Sequence, residues 1–311
     1  MPSYPYLSVC SALFYPTRRH LSIILSSAGL ALWTFIAYNK PSYTKGDSFM
    51  SAPVLSVITV CYNSSSVLPA TIDSLLIQTW TQFEYLVIDG ASKDETGPLL
   101  DHTRSLFLEK EITFRSISEP DKGIYDAMNK GVRMARGKWL LFLNAGDLLA
   151  SPDTLEKIFS VPPRGQIIYG NTICIYQGHR KLYPALPLEN LKWEMAFCHQ
   201  SVFVERRLLA DHPYDISYRV CADHHFFLSM YLRGVSFDYR PCPVSIYEIS
   251  GYSDQNKLFS HREKHRMQKE LGVFRPSPRW LLRELKFYVK EGVKRLFGQK
   301  LTDKVRKTRL H

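Results

Sequence analysis

The chain has 311 residues, of which 45% are hydrophobic, 22% charged and 13% aromatic. That composition excludes a disordered, collagenous or low-complexity protein, and the length fits two domains or one α/β domain with appendages. The net charge of +11 is concentrated at one end, because residues 257–311 hold 17 Lys/Arg against 5 Asp/Glu while residues 1–256 hold 23 against 24.

Leu21 to Tyr38 is an apolar run without a charge, between Arg18-Arg19 and Lys40. It sits at the lower limit of a membrane span, and its Ser, Gly and Thr weaken it. Met50-Ser-Ala-Pro opens directly onto a core strand. Residues 1–49 therefore read as a leader ahead of the domain or as a membrane anchor.

Val54 to Cys61 is a continuous β-branched run, the pattern of a buried parallel strand. It ends in a polar turn, Tyr62-Asn63-Ser64-Ser65-Ser66, with several N-cap candidates. Leu68, Ile72, Leu75 and Leu76 then repeat at helical spacing. Phe83 to Asp89 is a second strand, and helical spacing returns from Leu99 to Leu108. Ile112 to Ile117 is a third strand, Ile124 to Ala135 a helix, and Lys138 to Leu143 a fourth strand. Strand and helix alternating at this pace predict a doubly wound parallel sheet. Ligands of such sheets sit beyond the carboxyl ends of the strands, where Asn63, Asp89 and Asp147 fall. No Gly-rich phosphate loop is present, which argues against a Walker-type ATPase or a nicotinamide enzyme. The six cysteines form no C-x-x-C pair and read as reduced thiols in a cytosolic setting.

The richest segment runs from Asp121 to Asp147. Its last strand ends in Asn144-Ala145-Gly146-Asp147, where small residues admit a ligand and Asp147 offers a carboxylate. A divalent ion held by one or two carboxylates and substrate phosphates needs such a place. A plain turn with Asp147 as a cap fits the same residues.

Four segments in order, Val57 to Asn63, Val87 to Asp94, Glu119 to Gly131 and Phe142 to Asp147, resemble successive motifs of family-2 glycosyltransferases. The resemblance implies the GT-A fold: α/β, with a Rossmann-like, mostly parallel sheet, an acceptor-binding half and C-terminal helices. On this division residues 50–255 form the transferase domain. Residues 54–150 are its nucleotide-sugar half, 151–255 its acceptor half, and 256–311 a basic helical tail. The resemblance further implies inverting transfer of a sugar from a nucleoside-diphosphate donor with a divalent cation, Mn²⁺ or Mg²⁺. It puts Tyr62 and Asn63 near the nucleotide and Asp89 on the base or ribose, with Asp94 supporting that loop. Asp121 and Lys122 would line the donor pocket, with Asp126 and Lys130 on the helix behind. Asn144 and Asp147 match the family's acidic metal motif, although Asn144 is neutral and Gly146 stands where a second Asp is frequent. Asp147 is then the main carboxylate ligand.

In the second half, Phe197 to Ser201 resembles a His-Gln segment of one bacterial branch, which puts His199 and Gln200 at the acceptor or donor-sugar site. A structural hydrogen bond is the plainer role for His199. Tyr218 to His225 resembles the segment holding the family's general base, and Asp223 is the candidate. The alternative is that Asp223 caps a helix starting near Phe226. His224-His225 lacks metal-ligand spacing.

Leu281, Leu285, Val289, Val293 and Leu296 make an apolar stripe, with Lys/Arg on the other face. Such a helix lies in a membrane interface or packs on the domain, so residues 277–311 are a candidate contact with an anionic membrane surface. No nucleic-acid-binding motif is visible, and none is expected as a partner. The leading expectation is an inverting transferase at the inner face of a membrane, acting on a lipid-linked or polysaccharide acceptor of cell-envelope glycan synthesis. A nucleotidyltransferase of similar sheet class is the enzyme alternative, though Tyr62 to Val67 lacks its Gly-rich basic loop. An inactive sugar-nucleotide-binding protein is the non-enzyme alternative.

Overall fold

Strand β1 (Leu55–Cys61) is buried along its whole length, as its unbroken apolar sequence requires. The computed structural model describes residues 53–176, 178–248, 257–276 and 278–297. The apolar run at 21–38 lies outside the described residues. Within them, no helix is long and apolar enough to cross a membrane.

β1 pairs in parallel with β2 (Phe83–Asp89) on one side and β4 (Trp139–Phe142) on the other, and β3 (Thr113–Ser118) continues the parallel half beyond β2. The crossovers are α1 (Leu68–Leu76), α2 (Thr96–Glu109) and α3 (Ile124–Met134). Alternation along β1 divides them between two faces. Leu55 and Val57 join a core with Leu68 and Ile72 of α1 and Leu100 and Phe107 of α2. Ile58 and Val60 join the other core with Tyr125, Met128 and Val132 of α3. The sheet is therefore doubly wound, as the sequence predicts, with strand ends within two residues of expectation.

After α3 and β4 the chain makes a short strand β5 (Leu148–Leu149), helix α4 (Thr154–Phe159), and the long β6 (Ile167–Tyr176) with its hairpin partner β7 (His179–Tyr183). β8 (Val202–Glu205), α5 (Arg206–Asp211), α6 (Ala222–Leu232) and β9 (Phe237–Glu248) follow. β8 runs antiparallel to β4, β6 antiparallel to β8, and β9 parallel to β6. The order β3-β2-β1-β4-β8-β6-β9-β5 makes one nine-stranded sheet, with β7 beside β6. The second half thus extends the first half's sheet. Its crossing point lies at β4, where the strand direction switches and Asn144 to Asp147 emerge.

Helix α6 begins at Ala222, not near Phe226, and Cys221 is its N-cap. The segment entering the helix is held from a distance. Helix α7 (Lys257–Glu270) lays the buried carboxylate of Glu263 against the helix start, where it accepts the N–H groups of Arg219 (2.7 Å), Val220 (2.9 Å) and Cys221 (3.0 Å). A carboxylate there satisfies donors that no side chain within the helix reaches, and favours the positive end of the helix dipole. Arg266 of α7 lies over the Tyr218 ring at 4.1 Å, and the Tyr218 hydroxyl donates to Glu270.

Helix α8 (Pro278–Phe297) follows. Its packed side is not the apolar stripe. Among its described side chains Glu284 is buried, whereas Leu281, Leu282, Leu285, Tyr288 and Val289 are exposed.

Candidate active site

The loops after β1 and β2 are locked together. The Asn63 N–H donates to Ser92 Oγ at 2.7 Å, and Asn63 Oδ1 accepts from the Lys93 N–H at 2.9 Å. Asp94 accepts from the N–H and hydroxyl of Ser65 on one oxygen (3.0 and 2.7 Å) and from those of Thr96 on the other (3.1 and 2.6 Å). These bonds, the Thr96 hydroxyl first, hold its carboxyl far below the usual range. Asp94 thus supports the loop, the role the resemblance implies.

Asp89 is differently placed from a free ligand contact. It is buried, and its carboxylate accepts from Ser92 and from Ser118 Oγ at 2.5 Å. A donor contact by Asp89 has to displace one of these partners. The open positions are next door. Tyr62 is 60% exposed, and a Cβ on Gly90 would stand 2.6 Å from Asp121 Oδ2 and 3.4 Å from the Tyr62 ring. Tyr62 and Asp121 therefore flank a bare backbone patch at the end of β2, with an aromatic face free to stack. Asp121 Oδ1 accepts the Gly123 N–H at 2.8 Å, and Asp126 accepts that of Lys122 at 3.0 Å. Lys122 itself is exposed, and Lys130 pairs with Glu119 at 2.9 Å.

The second cluster lies where β4 ends. Gly146 turns the chain at φ 96°, and its N–H donates to Thr71 Oγ1 of α1 at 2.9 Å. The turn buries Asp147, and Gln200 hydrogen-bonds its carboxylate. Burial pushes Asp147 up to about 6, against the opposing pull of His199 and Gln200. Asn144 Oδ1 is buried without a hydrogen-bond partner, while its Nδ2 lies 3.1 Å from His199 Nε2. An orphaned amide oxygen beside a buried carboxylate is a hard-oxygen donor pair, so Asn144 and Asp147 fit a divalent cation that takes further ligands from a diphosphate.

His199 and Gln200 occupy a 3₁₀ turn just before β8. His199 Nδ1 faces Asp223 Oδ2 at 3.2 Å, so one imidazole bridges Asn144 and Asp223. Asp223 sits in the first turn of α6. Its Oδ1 accepts from the Tyr125 hydroxyl at 3.0 Å and from the His224 N–H at 2.8 Å. Burial pushes the Asp223 carboxyl up, but His199 and the His224 N–H outweigh it and keep it ionised below its ordinary value. For His199 burial works the other way, and the Asp223 partner more than compensates, so its affinity for a proton is raised.

The tertiary structure thus joins Asn144, Asp147, His199, Gln200 and Asp223 into one cluster, and gathers Tyr62, Asn63, Asp94 and Asp121 at the adjacent strand ends. Three residues of the site were not singled out from the sequence. Tyr125 and Asn129 lie within the quoted Glu119–Gly131 motif. Asn129 pairs with the Tyr214 backbone (2.8 and 3.0 Å) and holds the segment before Asp223. Glu263 has no local signal, because it acts across more than forty residues of chain.

His224 is structural. It is 2% exposed, its Nε2 lies 2.7 Å from the Leu191 carbonyl, and burial lowers it from 6.5 to about 4. The unfolded chain then binds the extra proton between those values, so His224 makes stability fall as pH drops through that window, by about 3 kcal/mol. Asp147, raised from 3.8 to about 6, acts in the opposite sense over nearly the same window, so His224→Gln, which can keep a donor on Leu191, is expected to gain stability relative to the parent as pH drops below about 6.5. Urea unfolding midpoints of both proteins across the window check it; parallel curves would remove His224 as the cause.

A curled α/β sheet with acids at the parallel strand ends is the architecture of GT-A glycosyltransferases. The solved structures with this fold include S. aureus TarS with UDP, at a TM-score of 0.54 and 18% identity over 70% of this chain and 64% of that one. They also include the mannosyltransferase PcManGT of Pyrobaculum calidifontis with GDP-Man and Mn²⁺, at 0.55 and 16% over 74% and 67%. The model of Glycosyl transferase family 2 matches residues 56–226. A PGL/p-HBAD biosynthesis glycosyltransferase of Mycobacterium bovis is 38% identical over 57% of this chain and 69% of its own length. An uncharacterized glycosyltransferase of Mycobacterium tuberculosis is 30% identical over 68% and 79%. The chain belongs to glycosyl transferase family 2 and is a glycosyltransferase.

Proposed function

We propose that the protein transfers a sugar, with inversion, from a nucleoside-diphosphate sugar to a lipid-linked or polysaccharide acceptor of the cell envelope. The observation carrying this reading is the His199 bridge, which sets the ionised Asp223 in the same cluster as Asn144 and Asp147. Neighbours of the same fold bind UDP or GDP-Man, which supports a nucleoside-diphosphate donor. Tyr62 and Asp121 receive the nucleotide at the end of β2, on a loop kept rigid by Asp94. Asn144 and Asp147 would hold a divalent cation, which would supply positive charge against the leaving diphosphate. Asp223 takes the acceptor hydroxyl's proton as that oxygen attacks the anomeric carbon, and His199 and Tyr125 orient its carboxylate. Gln200 fixes Asp147.

A screen of UDP, GDP, dTDP and CDP with Mg²⁺ or Mn²⁺ tests donor binding. One nucleotide at about 100 times its dissociation constant adds about 2.7 kcal/mol, a readily measured rise in Tm. Sugar release from the matching donor in Mn²⁺ then separates an enzyme from an inactive binding protein. No shift with any nucleotide would sink the reading.

The membrane face belongs to this proposal. Leu281, Leu282, Leu285 and Val289 are exposed on α8 within the basic tail, a surface suited to an anionic bilayer on the cytoplasmic side. Leu281→Ser with Leu285→Ser and Val289→Ser is expected to weaken sedimentation with anionic vesicles about tenfold or more, and salt to weaken the parent's binding. Salt-independent binding that survives the substitutions would assign it to residues 21–38 instead.

A further inference from the structure

Helices α7 and α8 meet through a polar cluster that the transfer reaction does not use. His261 and His265 are one turn apart on α7, so they project from one side of it. Glu284 of α8 enters between them. Its Oε2 is 2.7 Å from His261 Nε2, and its Oε1 is 3.2 Å from His265 Nε2. The three ligand atoms lie within 4.8 Å of one another. Glu284 is 6% exposed, and the two imidazole side chains are 15% and 21% exposed. Phe287 stacks on His261 at 4.0 Å, and Phe274 flanks His265 at 6.1 Å, giving the cluster an apolar wall.

Each of the two Glu284 oxygens faces one imidazole nitrogen. Here two imidazoles, with ring centroids 4.4 Å apart, aim the same nitrogen at a single buried carboxylate. Were both protonated, two cations would share one anion at close range. Two Nε2 atoms and a carboxylate converging from adjacent helices are instead the donor set of a tetrahedral zinc site with one position left for water. Ligand atoms around zinc stand roughly 3.3 Å apart for bonds of about 2.0–2.1 Å, so small side-chain rotations suffice. The donors differ from the oxygen pair of Asn144 and Asp147, which suits a harder ion.

We propose that His261, His265 and Glu284 bind a zinc-class divalent ion that staples α8 to α7. It fixes α8 on its polar side, which leaves Leu281, Leu285 and Val289 outward. It also braces α7, whose Glu263 holds the start of α6 and thereby Asp223.

The test uses the full chain, stripped with a chelator and titrated with Co²⁺ and then Zn²⁺. One equivalent of Co²⁺ with the visible absorption of a tetrahedral centre is expected, displaced by Zn²⁺ and not by Mg²⁺. His265→Gln and Glu284→Gln should each weaken this binding more than tenfold, abolish the zinc-dependent rise in Tm, and leave helical content and Mn²⁺-dependent nucleotide binding intact. A wild-type chain with no tetrahedral Co²⁺ band overturns the proposal whatever the variants do. So do folded variants that bind Zn²⁺ as tightly as the parent.

Discussion

Asp223→Asn is expected to lower kcat by about 10²–10⁴ while the nucleotide dissociation constant stays nearly unchanged. An acceptor hydroxyl is a poor nucleophile at neutral pH, so direct displacement needs a positioned base. Asp223 is held for that task from three sides, by the Tyr125 hydroxyl, the His224 N–H and His199 Nδ1. Asn is nearly isosteric and can keep some of these bonds, but it cannot accept the acceptor's proton. The helix-cap explanation predicts no loss, since Asn and Asp rank equally at N-caps. Cys221 is the N-cap, so Asp223 stands inside the first turn, where its Oδ1 accepts the His224 N–H that Asn can also accept. Measuring kcat and nucleotide affinity in one preparation decides. Near-normal turnover would move the base to His199, or to the exposed Glu194.

Asp147→Asn is expected to lose transfer by about 10²–10³ or more at saturating metal and yet to fold at least as stably as the parent. Both effects have one cause. Asp147 is a carboxylate 6% exposed, and its burial pushes it up to about 6, so keeping it charged costs the fold free energy in the absence of a cation. The neutral amide removes that cost and removes the charge that a cation needs. Tm in metal-free buffer should be equal or higher, whereas the nucleotide-dependent rise in Tm with Mn²⁺ should shrink. Full activity of the variant would show that Asn144 and the diphosphate hold the cation without it. A large fall in Tm would show that Asp147 is chiefly a structural residue of the turn.

The two variants also separate the two halves of the cluster. Loss of the cation carboxylate acts on donor binding and leaving-group charge, whereas loss of Asp223 acts on the proton of the acceptor. A scaffold that only binds a sugar nucleotide would show the first effect without any turnover to lose.

The parallel half of the sheet was legible because strands buried on both faces leave unbroken apolar runs, as in Leu55–Cys61 and Phe83–Asp89. Their polar ends, at Asn63, Asp89 and Asp147, followed from the same pattern, since a parallel strand in a doubly wound sheet ends at the ligand rim. Local chemistry likewise announced the turn at Gly146, whereas the loop held by Asp94 came from the family resemblance. What the sequence could not show is which side chains meet. His199 bridges to Asn144 and Asp223 only because β8 lies antiparallel to β4 and brings the 3₁₀ turn beneath the end of β4. The segment leading into α6 is held by Glu263 of α7, a contact that rules for neighbouring residues do not see. On α8, period alone left open whether the apolar stripe packs on the domain or lies in a membrane interface. Among the described side chains Glu284 is buried against two histidines of α7 while Leu281, Leu285 and Val289 are exposed, and such pairing exists only once the helices are side by side.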